Sequence, residues 1–465
     1  MKKGRVCSVI ALLALMASLA GCGAEEAVPE TQTPEEKTTV TIWTKDRHDA
    51  AYQEARIKHY NETNPDGIIV EYRTYSDNYA QALDSAFQTN RGPDIIAYTD
   101  RVFNQFFAQG HFADIMPYLD AELQKTYESV MLPGVNVFDG QCYFLPTAGT
   151  TSRLFYNGTL LEQVGILEPP ATMDELIAAA RAVTEHFSQE GIYGFAVNLY
   201  GAQSGIDRTI GKQANRDVGL KCGFDFERGC YDFTRYETLL EKWRELLGED
   251  CAYPRCDELD IDPLRQMFAQ GKIAMYISYI HAEQGVYQQQ FPAGAKWGCA
   301  EIPTSVENPV GAQNYSLNGG YLFNAGSPHL DAAWKVYLAL FADLDYQKDY
   351  YEHGFGVSVI PQVLAEAEAD GYHPQFETLV LGEGDRMWPK APHEENGKAV
   401  QITGLDFYEV FKSLLYSQEN IADALEELTE RYNEAYEAGI TQGVGREIKI
   451  PGFDPMNPQT AGAKP

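Results

Sequence analysis

Aromatic side chains stand beside charged or hydrogen-bonding groups at four places in this sequence. These groups are Trp43 with Asp46, Arg47 and His48; Tyr98 with Asp100 and Arg101; Tyr200; and Tyr279 with His281. An aromatic ring can stack on the apolar C–H face of a sugar, while carboxylate, guanidinium and amide groups bind its hydroxyl groups. Together the four groups predict a binding site for a hydroxyl-rich ligand.

Sequence patterns of catalysis and of metal binding do not single out a site. The chain contains no GxSxG, HExxH or Walker loop, and no GxGxxG follows a predicted strand. Its histidines occur singly, it has no CxxC pair, and its carboxylates are too frequent for spacing to select a glycosidase pair. We therefore expect a binding protein without catalytic residue, metal or cofactor. An extracellular glycoside hydrolase or lyase is the alternative from another class.

The aromatic groups follow short runs of β-branched and aromatic residues that are typical of strands. Such runs occupy 39–43, 67–72, 93–98, 195–200 and 272–278. Segments with helical patterns, for example around 48–62 and 77–90, alternate with them, which predicts an α/β architecture with mostly parallel strands. Ligands of open α/β sheets bind outside the carboxyl ends of the strands. The aromatic groups should therefore line one cleft.

One predicted helix has a clear start signal. Thr172 is followed three residues later by Glu175, which is the spacing of a capping box, and apolar residues recur behind it with a helical period. We therefore expect a helix that begins after Thr172 and buries its apolar face.

The N-terminus has the pattern of an exported lipoprotein. A basic start is followed by the apolar run 6–19 and by Leu-Ala-Gly-Cys, which ends at Cys22. We expect 1–21 to be a signal peptide, Cys22 to be lipid-modified, and 22–38, rich in Glu, Pro and Thr, to be a disordered tether. A diacyl anchor holds a protein stably on a bilayer, and no other segment is apolar enough to span one. The predicted location is the outer face of the cell membrane.

Composition and charge indicate the number of lobes and exclude some classes of partner. The chain has 465 residues, 44% of them hydrophobic, and is longer than one core normally supports, so two lobes are expected. The net charge of −31 argues against nucleic acid and against lying flat on anionic lipid. Because such a field also repels anions, we expect a neutral or nearly neutral ligand, bound by a monomer.

The sequence does not decide whether the cysteines form disulfides or stay free thiols. Beyond Cys7 and Cys22, six remain: Cys142, Cys222, Cys230, Cys251, Cys256 and Cys299. The pair Cys222 and Cys230, like the pair Cys251 and Cys256, flanks a short loop, so either pair could form a disulfide outside the cell. Six free thiols are the alternative.

Four segments carry a family resemblance. They are DIIAYTDRVFNQFFAQGHFADI (94–115), the block that runs from YFLPTAGTTSRLFYNG to MDELIAAARAVT (143–184), FAQGKIAMYIS (268–278) and SLNGGYLFNAGSPHLDAAWKVYLAL (316–340). In motif and in order they resemble the sugar-binding proteins of ABC importers, above all the maltose/maltodextrin-binding group. The resemblance extends from about residue 39 to about residue 440.

The resemblance implies a two-lobed α/β fold of the periplasmic-binding-protein type, with a hinge and a ligand cleft between the lobes. The N-terminal lobe would comprise 39–147 and 306–355, and the C-terminal lobe 148–305 and 356–450, with a flexible tail at 451–465. The implied function is a lipid-anchored receptor that captures a carbohydrate, expected to be an oligosaccharide, and delivers it to the permease subunits of an ABC importer.

The family's ligand contacts fall on the aromatic groups identified above. Matched position by position, they are Trp43 with Asp46 to His48, Tyr98 with Asp100 and Arg101, Tyr200, and His281 with its neighbour Tyr279. The segment that returns to the first lobe adds Asn318 and Gly319. Trp388 stands where related proteins have a late cleft aromatic, and packing in the C-terminal helical region is the alternative for it.

Two positions depart from the maltodextrin-type pattern. Its hinge-proximal acid falls on Thr150, and its stacking Trp after the third segment falls on His281. These departures indicate an altered pocket in the same cleft. Because Arg47 and Arg101 would accept an anion, another polar solute, such as a polyol phosphate, a polyamine or a peptide, is the alternative ligand.

Overall fold

The computed structural model describes residues 37–75, 78–372, 375–382 and 384–458. The predicted signal peptide, Cys22, nearly all of the predicted tether and the end of the predicted tail lie outside these ranges. In the described ranges helices and strands alternate, and they form an α/β fold with two lobes.

The strands are short and belong to several small sheets. In chain order they are β1 (Thr39–Thr44), β2 (Ile69–Thr74), β3 (Ile95–Ala97), β4 (Val137–Phe138), β5 (Gln141–Cys142), β6 (Ala148–Thr150), β7 (Ser152–Asn157), β8 (Tyr193–Phe195), β9 (Phe224–Asp225), β10 (Cys230–Tyr231), β11 (Ile273–Tyr279), β12 (Trp297–Ala300), β13 (Gln313–Asn314), β14 (Ser316–Asn318), β15 (Tyr321–Phe323), β16 (Val357–Ser358) and β17 (Asp385–Arg386).

The helices range from single turns to the long C-terminal helix. In chain order they are α1 (Ala50–Thr63), α2 (Tyr79–Gln88), α3 (Asp100–Phe106), α4 (Ala121–Tyr127), α5 (Gly158–Gln163), α6 (Met173–Phe187), α7 (Ala202–Ile206), α8 (Lys212–Val218), α9 (Glu237–Leu246), α10 (Ile261–Ala269), α11 (Ile280–Gly285), α12 (Leu330–Tyr337), α13 (Leu344–Glu352), α14 (Pro361–Ala369), α15 (Pro392–Glu395), α16 (Phe407–Tyr416) and α17 (Ile421–Thr441). A π-helical turn, Asp207–Gly211, joins α7 and α8 into one continuous helix.

The first lobe contains a four-stranded sheet in the order β15–β3–β1–β2. β1 runs parallel to β2 and β3, and β15 returns antiparallel beside β3. Because side chains alternate across a strand, Ile95 faces one core with α12 and α13, whereas Ile96 faces a second core with α2 and α3. Helices therefore cover both faces of this sheet.

The second lobe contains a four-stranded sheet in the order β12–β7–β11–β8. Only β11 and β8 are parallel, because β7 runs against both of its neighbours, β11 and β12. The expectation of mostly parallel strands is therefore wrong for this sheet: β7 enters it directly from the other lobe and does not follow a crossover helix. One large core, which includes Phe155, Phe195 and Trp243, packs the sheet against α6, α9, α16 and α17.

A third sheet gathers strands from three distant parts of the chain. Its order is β14–β6–β16, and both pairings are antiparallel. β6 leads into β7 of the second lobe, β14 leads into β15 of the first lobe, and β16 follows α13, which packs on the first lobe. The segments that cross between the lobes therefore lie side by side, and we call this sheet the hinge sheet.

The local predictions can be compared with these elements. The helix predicted after Thr172 is α6, and its capping box is present, since Thr172 and Glu175 each donate a backbone N–H to the other's side chain at 3.2 Å. The strand predicted at 195–200 is wrong in extent, because only Phe195 belongs to β8. Beyond it the Leu199 amide donates to a carbonyl of the loop before α10 and no longer to β11.

Thiols, metal sites and membrane spans can be assessed for the same residues. The six cysteines considered above are free thiols, so neither disulfide is formed. No group of His, Cys, Asp or Glu within the described ranges is arranged to hold a metal ion. None of the helices in those ranges has the length and apolar character that a membrane crossing needs.

Candidate ligand-binding cleft

A cleft of about 1140 Å³ lies between the lobes, where β1, β3 and β11 end. Most of the predicted site residues line it: Asp46, Arg47, His48, Tyr98, Asp100, Arg101, Tyr279, His281 and Asn318. Gly319 lines a second cavity, of about 40 Å³, which shares Asp46 with the cleft. Residues from four separate parts of the sequence therefore meet in one place.

Three of the predicted aromatic residues do not line the cleft. Trp43 packs against Tyr75, with ring centroids 4.6 Å apart. Tyr200 is 64% exposed. Trp388 is buried in the core of the second lobe and donates its indole N–H to the carbonyl of Ala312 at 2.9 Å. Ligand contact by these three residues stays a prediction.

The wall on the first lobe is built around Tyr98, directly after β3. Its ring stacks on Phe144 with centroids 3.9 Å apart, and its hydroxyl donates to Asp100. Thr99 caps α3 by accepting the backbone N–H of Val102 at 3.0 Å, so Asp100 is the first residue of the helix. Burial, and then the charge of Asp100, raises the pKa of Tyr98 well above its usual value. The Tyr98 hydroxyl therefore stays protonated and holds the carboxylate in place.

The loop between β1 and α1 reaches across to the second lobe. Arg47 forms ion pairs with Asp262 and Asp260 at the start of α10, at 3.2 and 3.9 Å. His48, the next residue, has its Nε2 atom 2.9 Å from the carbonyl oxygen of Phe355 beside the hinge sheet. The two walls of the cleft are therefore in contact on this side.

The two positions that depart from the maltodextrin-type pattern contact each other. Nδ1 of His281 lies 2.8 Å from the hydroxyl oxygen of Thr150, and the His281 ring is 5.7 Å from that of His48. Burial, and then the positive charge of His48, lowers the pKa of His281 well below its usual value. The neutral imidazole has one donor and one acceptor; Nδ1 is bound to Thr150, and Nε2 remains for a ligand hydroxyl group.

A second contact joins the lobes through α3. Lys390 donates from its ammonium group to the side-chain oxygen of Asn104 at 3.0 Å, and the ammonium nitrogen lies 5.1 Å from the centre of the Phe103 ring. Lys390 follows Trp388 closely in sequence, and the buried indole anchors this segment to the second lobe. Helix α3, which follows Tyr98, is thus in contact with the opposite lobe.

The wall on the second lobe is the continuous helix formed by α7, the π-helical turn and α8. π-Helical turns inside α-helices are frequent at functional sites. Arg208 and Lys212 extend from this helix towards Tyr279 at the end of β11. Their charged groups lie 4.9 and 5.8 Å from the centre of its ring.

The sequence patterns do not point to this helix. Asp207, Arg208, Lys212 and Tyr408 all line the cleft, yet none stands at a predicted strand end. The spacing of Arg208 and Lys212 was the available signal, because residues four apart share one face of a helix. Which way that face turns depends on contacts distant in sequence.

Basic and acidic side chains balance one another in the cleft lining. The basic residues are Lys45, Arg47, Arg101, Arg208, Lys212, Lys221, Arg265 and Lys398. The acidic residues are Asp46, Asp100, Asp207, Asp260, Asp262, Glu394, Asp406 and Glu409. The strongly negative charge of the whole chain therefore does not extend into the cleft.

The chain matches a known protein family over more than half of its length. Residues 44–340 match the family described as bacterial extracellular solute-binding protein. A binding protein of Brucella abortus is similar to this chain, with 24% identity over 347 residues, which is 69% of this chain and 75% of the relative.

Solved structures share the fold. An ABC transporter solute-binding protein from Thermotoga lettingae, bound with α-D-tagatose, has a TM-score of 0.68 at 19% identity and covers 86% of this chain and 100% of its own. An ABC substrate-binding protein from Listeria monocytogenes, in complex with cycloalternan, has a TM-score of 0.65 at 17% identity and covers 88% of this chain and 100% of its own. At such identities the likeness establishes the two-lobed fold.

Proposed function

Because the chain belongs to the bacterial extracellular solute-binding protein family, we propose that it is a monomeric receptor that captures a carbohydrate and delivers it to the permease subunits of an ABC importer. The cleft between the lobes carries this proposal. Its volume of about 1140 Å³ is slightly larger than small-molecule sites, which measure roughly 300–1,000 Å³, so it suits an oligosaccharide. No bond of the ligand is made or broken.

The groups on the two walls support a hydroxyl-rich ligand. Tyr98 and Tyr279 contribute aromatic surface, and Asp100 and His281 contribute hydrogen-bonding groups. This is the combination that a sugar ring requires. Two structures with the same fold contain the carbohydrates α-D-tagatose and cycloalternan, which makes a carbohydrate the first class of ligand to test.

We propose that the lobes divide as the sequence predicts. The N-terminal lobe is 39–147 with 306–355, and the C-terminal lobe is 148–305 with 356–450, apart from α14, whose Val363 and Ala367 pack in the first-lobe core with Ile95. The hinge sheet supports this division, because β6 and β16 begin next to two of the boundaries. Rotation about this sheet would bury the ligand and create the surface that the permease recognises. Ligand binding would then shift an existing equilibrium between open and closed forms.

The receptor should bind a carbohydrate and release it unchanged. In a thermal-shift panel of mono- and oligosaccharides, we expect at least one sugar to stabilise the protein, by about 2.7 kcal/mol at one hundred times its Kd. Asp100→Ala should weaken that binding by about 1–3 kcal/mol, because sugar hydroxyls enclosed in the cleft would lose their hydrogen-bond acceptor. Asp331→Ala is the matched control, since its carboxylate accepts from Tyr118 on the surface of the first lobe.

Mass spectrometry of the recovered sugar distinguishes a receptor from an enzyme. An unchanged mass supports the receptor. Cleavage products that accumulate with time, or a complete panel without any stabilising carbohydrate, would contradict the proposal.

We propose that the protein is held at the outer face of the cell membrane by a lipid on Cys22, which lies outside the described residues. Cys22→Ala should be released into the soluble fraction with its sugar affinity unchanged, because the lipid contributes nothing to the cleft. Fractionation and intact-mass measurement check this outcome. Recovery of the variant in the membrane fraction with a lipid mass attached would rule out Cys22 as the anchor site.

A further inference from the structure

Two buried cations in the cleft form no ion pair with a carboxylate among the described residues. Arg208 is 8% exposed and Lys212 is 5% exposed, and no carboxylate in the described ranges forms an ion pair with either. Arg265, which lines the same cleft and is equally buried, pairs with Glu283 at 2.8 Å. Because a buried charge is normally paired, the state of Arg208 and Lys212 requires an explanation.

Neutral hydroxyl groups position both cations without neutralising them. Arg208 donates to the carbonyl and the hydroxyl of Ser204, both at 3.0 Å, and to the hydroxyl of Ser278 at 3.2 Å. Lys212 donates to the hydroxyl of Ser316 at 3.3 Å. A guanidinium group has five N–H donors and an ammonium group has three. Each side chain therefore keeps donors that no described residue accepts, and both line the cleft.

The neighbouring titratable groups compensate the charge of this pair only in part. Burial lowers the pKa of Lys212 to about 8, and the charge of Lys221 acts in the same direction. Burial also raises the pKa of the neighbouring Asp207 to about 7, with the charge of Glu394 adding to the effect. Near neutral pH Asp207 is thus only partly ionised and is an incomplete counter-charge for Arg208 and Lys212.

We propose that Arg208 and Lys212 bind an acidic group on the sugar, such as the carboxylate of a uronic acid, with Tyr279 beside the same sugar unit. This assignment rests on the proposed carbohydrate-receptor function and names the class of carbohydrate. It departs from the expectation of a neutral ligand, which followed from the net charge and from the mixture of aromatic and charged residues. Net charge governs the approach of a ligand, whereas complementary charges at the contact decide which ligand is selected.

Matched pairs of ligands test the assignment. The probes are oligomers of galacturonate, glucuronate and mannuronate, each with its carboxyl-reduced counterpart, which is a neutral sugar with the same linkage. Hexose 6-phosphates test whether the acidic group is a phosphate. For the native protein we expect calorimetry to give at least tenfold tighter binding of one acidic sugar than of its neutral counterpart.

Charge-removing variants test whether Arg208 and Lys212 cause the preference for an acidic sugar over a neutral one. Arg208→Gln and Lys212→Gln should each weaken binding of the acidic sugar at least tenfold and change binding of the neutral counterpart less than threefold. Lys212→Arg keeps the charge and should keep the preference, which separates loss of charge from loss of folding. Lys296→Gln removes a lysine that is 73% exposed, pairs with Glu162 and does not line the cleft, so it should change neither affinity more than twofold.

The outcomes separate this inference from the proposed function. Tight binding of a neutral sugar that both charge-removing variants leave unchanged would overturn the acidic-group assignment and leave the receptor function standing. Absence of binding by every acidic and neutral carbohydrate would overturn both. Preference for a hexose phosphate that is lost in Lys212→Gln would support the assignment with phosphate as the acidic group.

Discussion

Replacement of Asp385 with Asn is expected to lower the free energy of unfolding by about 3–5 kcal/mol. Asp385 on β17 accepts two N–H groups of Arg153 on β7, at 2.6 and 3.3 Å, and the two side chains are 3% and 1% exposed. Asparagine cannot neutralise the guanidinium group, which would remain buried without its main counter-charge. Glu301 lies 3.3 Å from Arg153 but is 61% exposed, so it compensates only in part.

The matched control for this prediction is an ion pair with the same contact distance on the surface. Arg181 pairs with Asp250 at 2.6 Å, but the side chains are 41% and 58% exposed. Exposed pairs contribute about 0–1 kcal/mol, so Asp250→Asn should have a small effect. Urea titrations followed by tryptophan fluorescence measure both variants. Equal losses of stability in the two variants would show that burial does not determine the strength of the Arg153–Asp385 pair.

Replacement of Gly205 with Ala should lower the free energy of unfolding by about 1–3 kcal/mol. A Cβ atom at this position of α7 would lie 2.2 Å from the carbonyl oxygen of Asn198 and 2.8 Å from a methyl carbon of Leu199. Alanine normally favours a helix over glycine by about 1 kcal/mol, but here the backbone oxygen cannot move aside alone. The helix must shift, and Arg208 and Lys212 shift with it, so ligand affinity should fall as well.

Gly201→Ala controls for this effect. Its Cβ atom would have one neighbour, the Cβ of Ser204 at 3.9 Å, so we expect a change within about 0.5 kcal/mol. Urea titration and calorimetry with the same sugar measure both glycine variants. If Gly205→Ala were as stable as the native protein, the close approach of α7 to Asn198 would not be what positions the continuous helix formed by α7, the π-helical turn and α8.

Features that depend on neighbours in sequence are predictable here. The capping box at Thr172 needs a residue only three positions away, and it is present in α6. The strand predicted at 272–278 corresponds to β11, because an unbroken apolar run fits a strand that is buried on both faces. Tyr98 and Asp100 lie where a strand ends and a helix begins, and such a junction is visible in the sequence.

Features that depend on the arrangement of distant segments are not predictable in this way. Trp43 follows Ile42, which faces the opposite core, so its ring lies on the side of Tyr75 and α2, and what that side contacts depends on segments far away in the sequence. Arg208 and Lys212 reach the cleft because the chain leaves β8 after Phe195, and no local pattern marks that point.

The contacts that join the lobes differ in how they respond to ionic strength. The Arg47–Asp262 pair is 34% and 22% exposed, and added salt weakens such a partly exposed pair as the Debye length falls below its physiological value of about 8 Å. Lys390 is held by a neutral amide and by the face of the Phe103 ring, which salt affects less. A ligand enclosed by the lobes leaves when they separate. The residence time of the ligand should therefore shorten as salt weakens the Arg47–Asp262 pair. It should stop shortening once the Lys390 contact is the one that still joins the lobes.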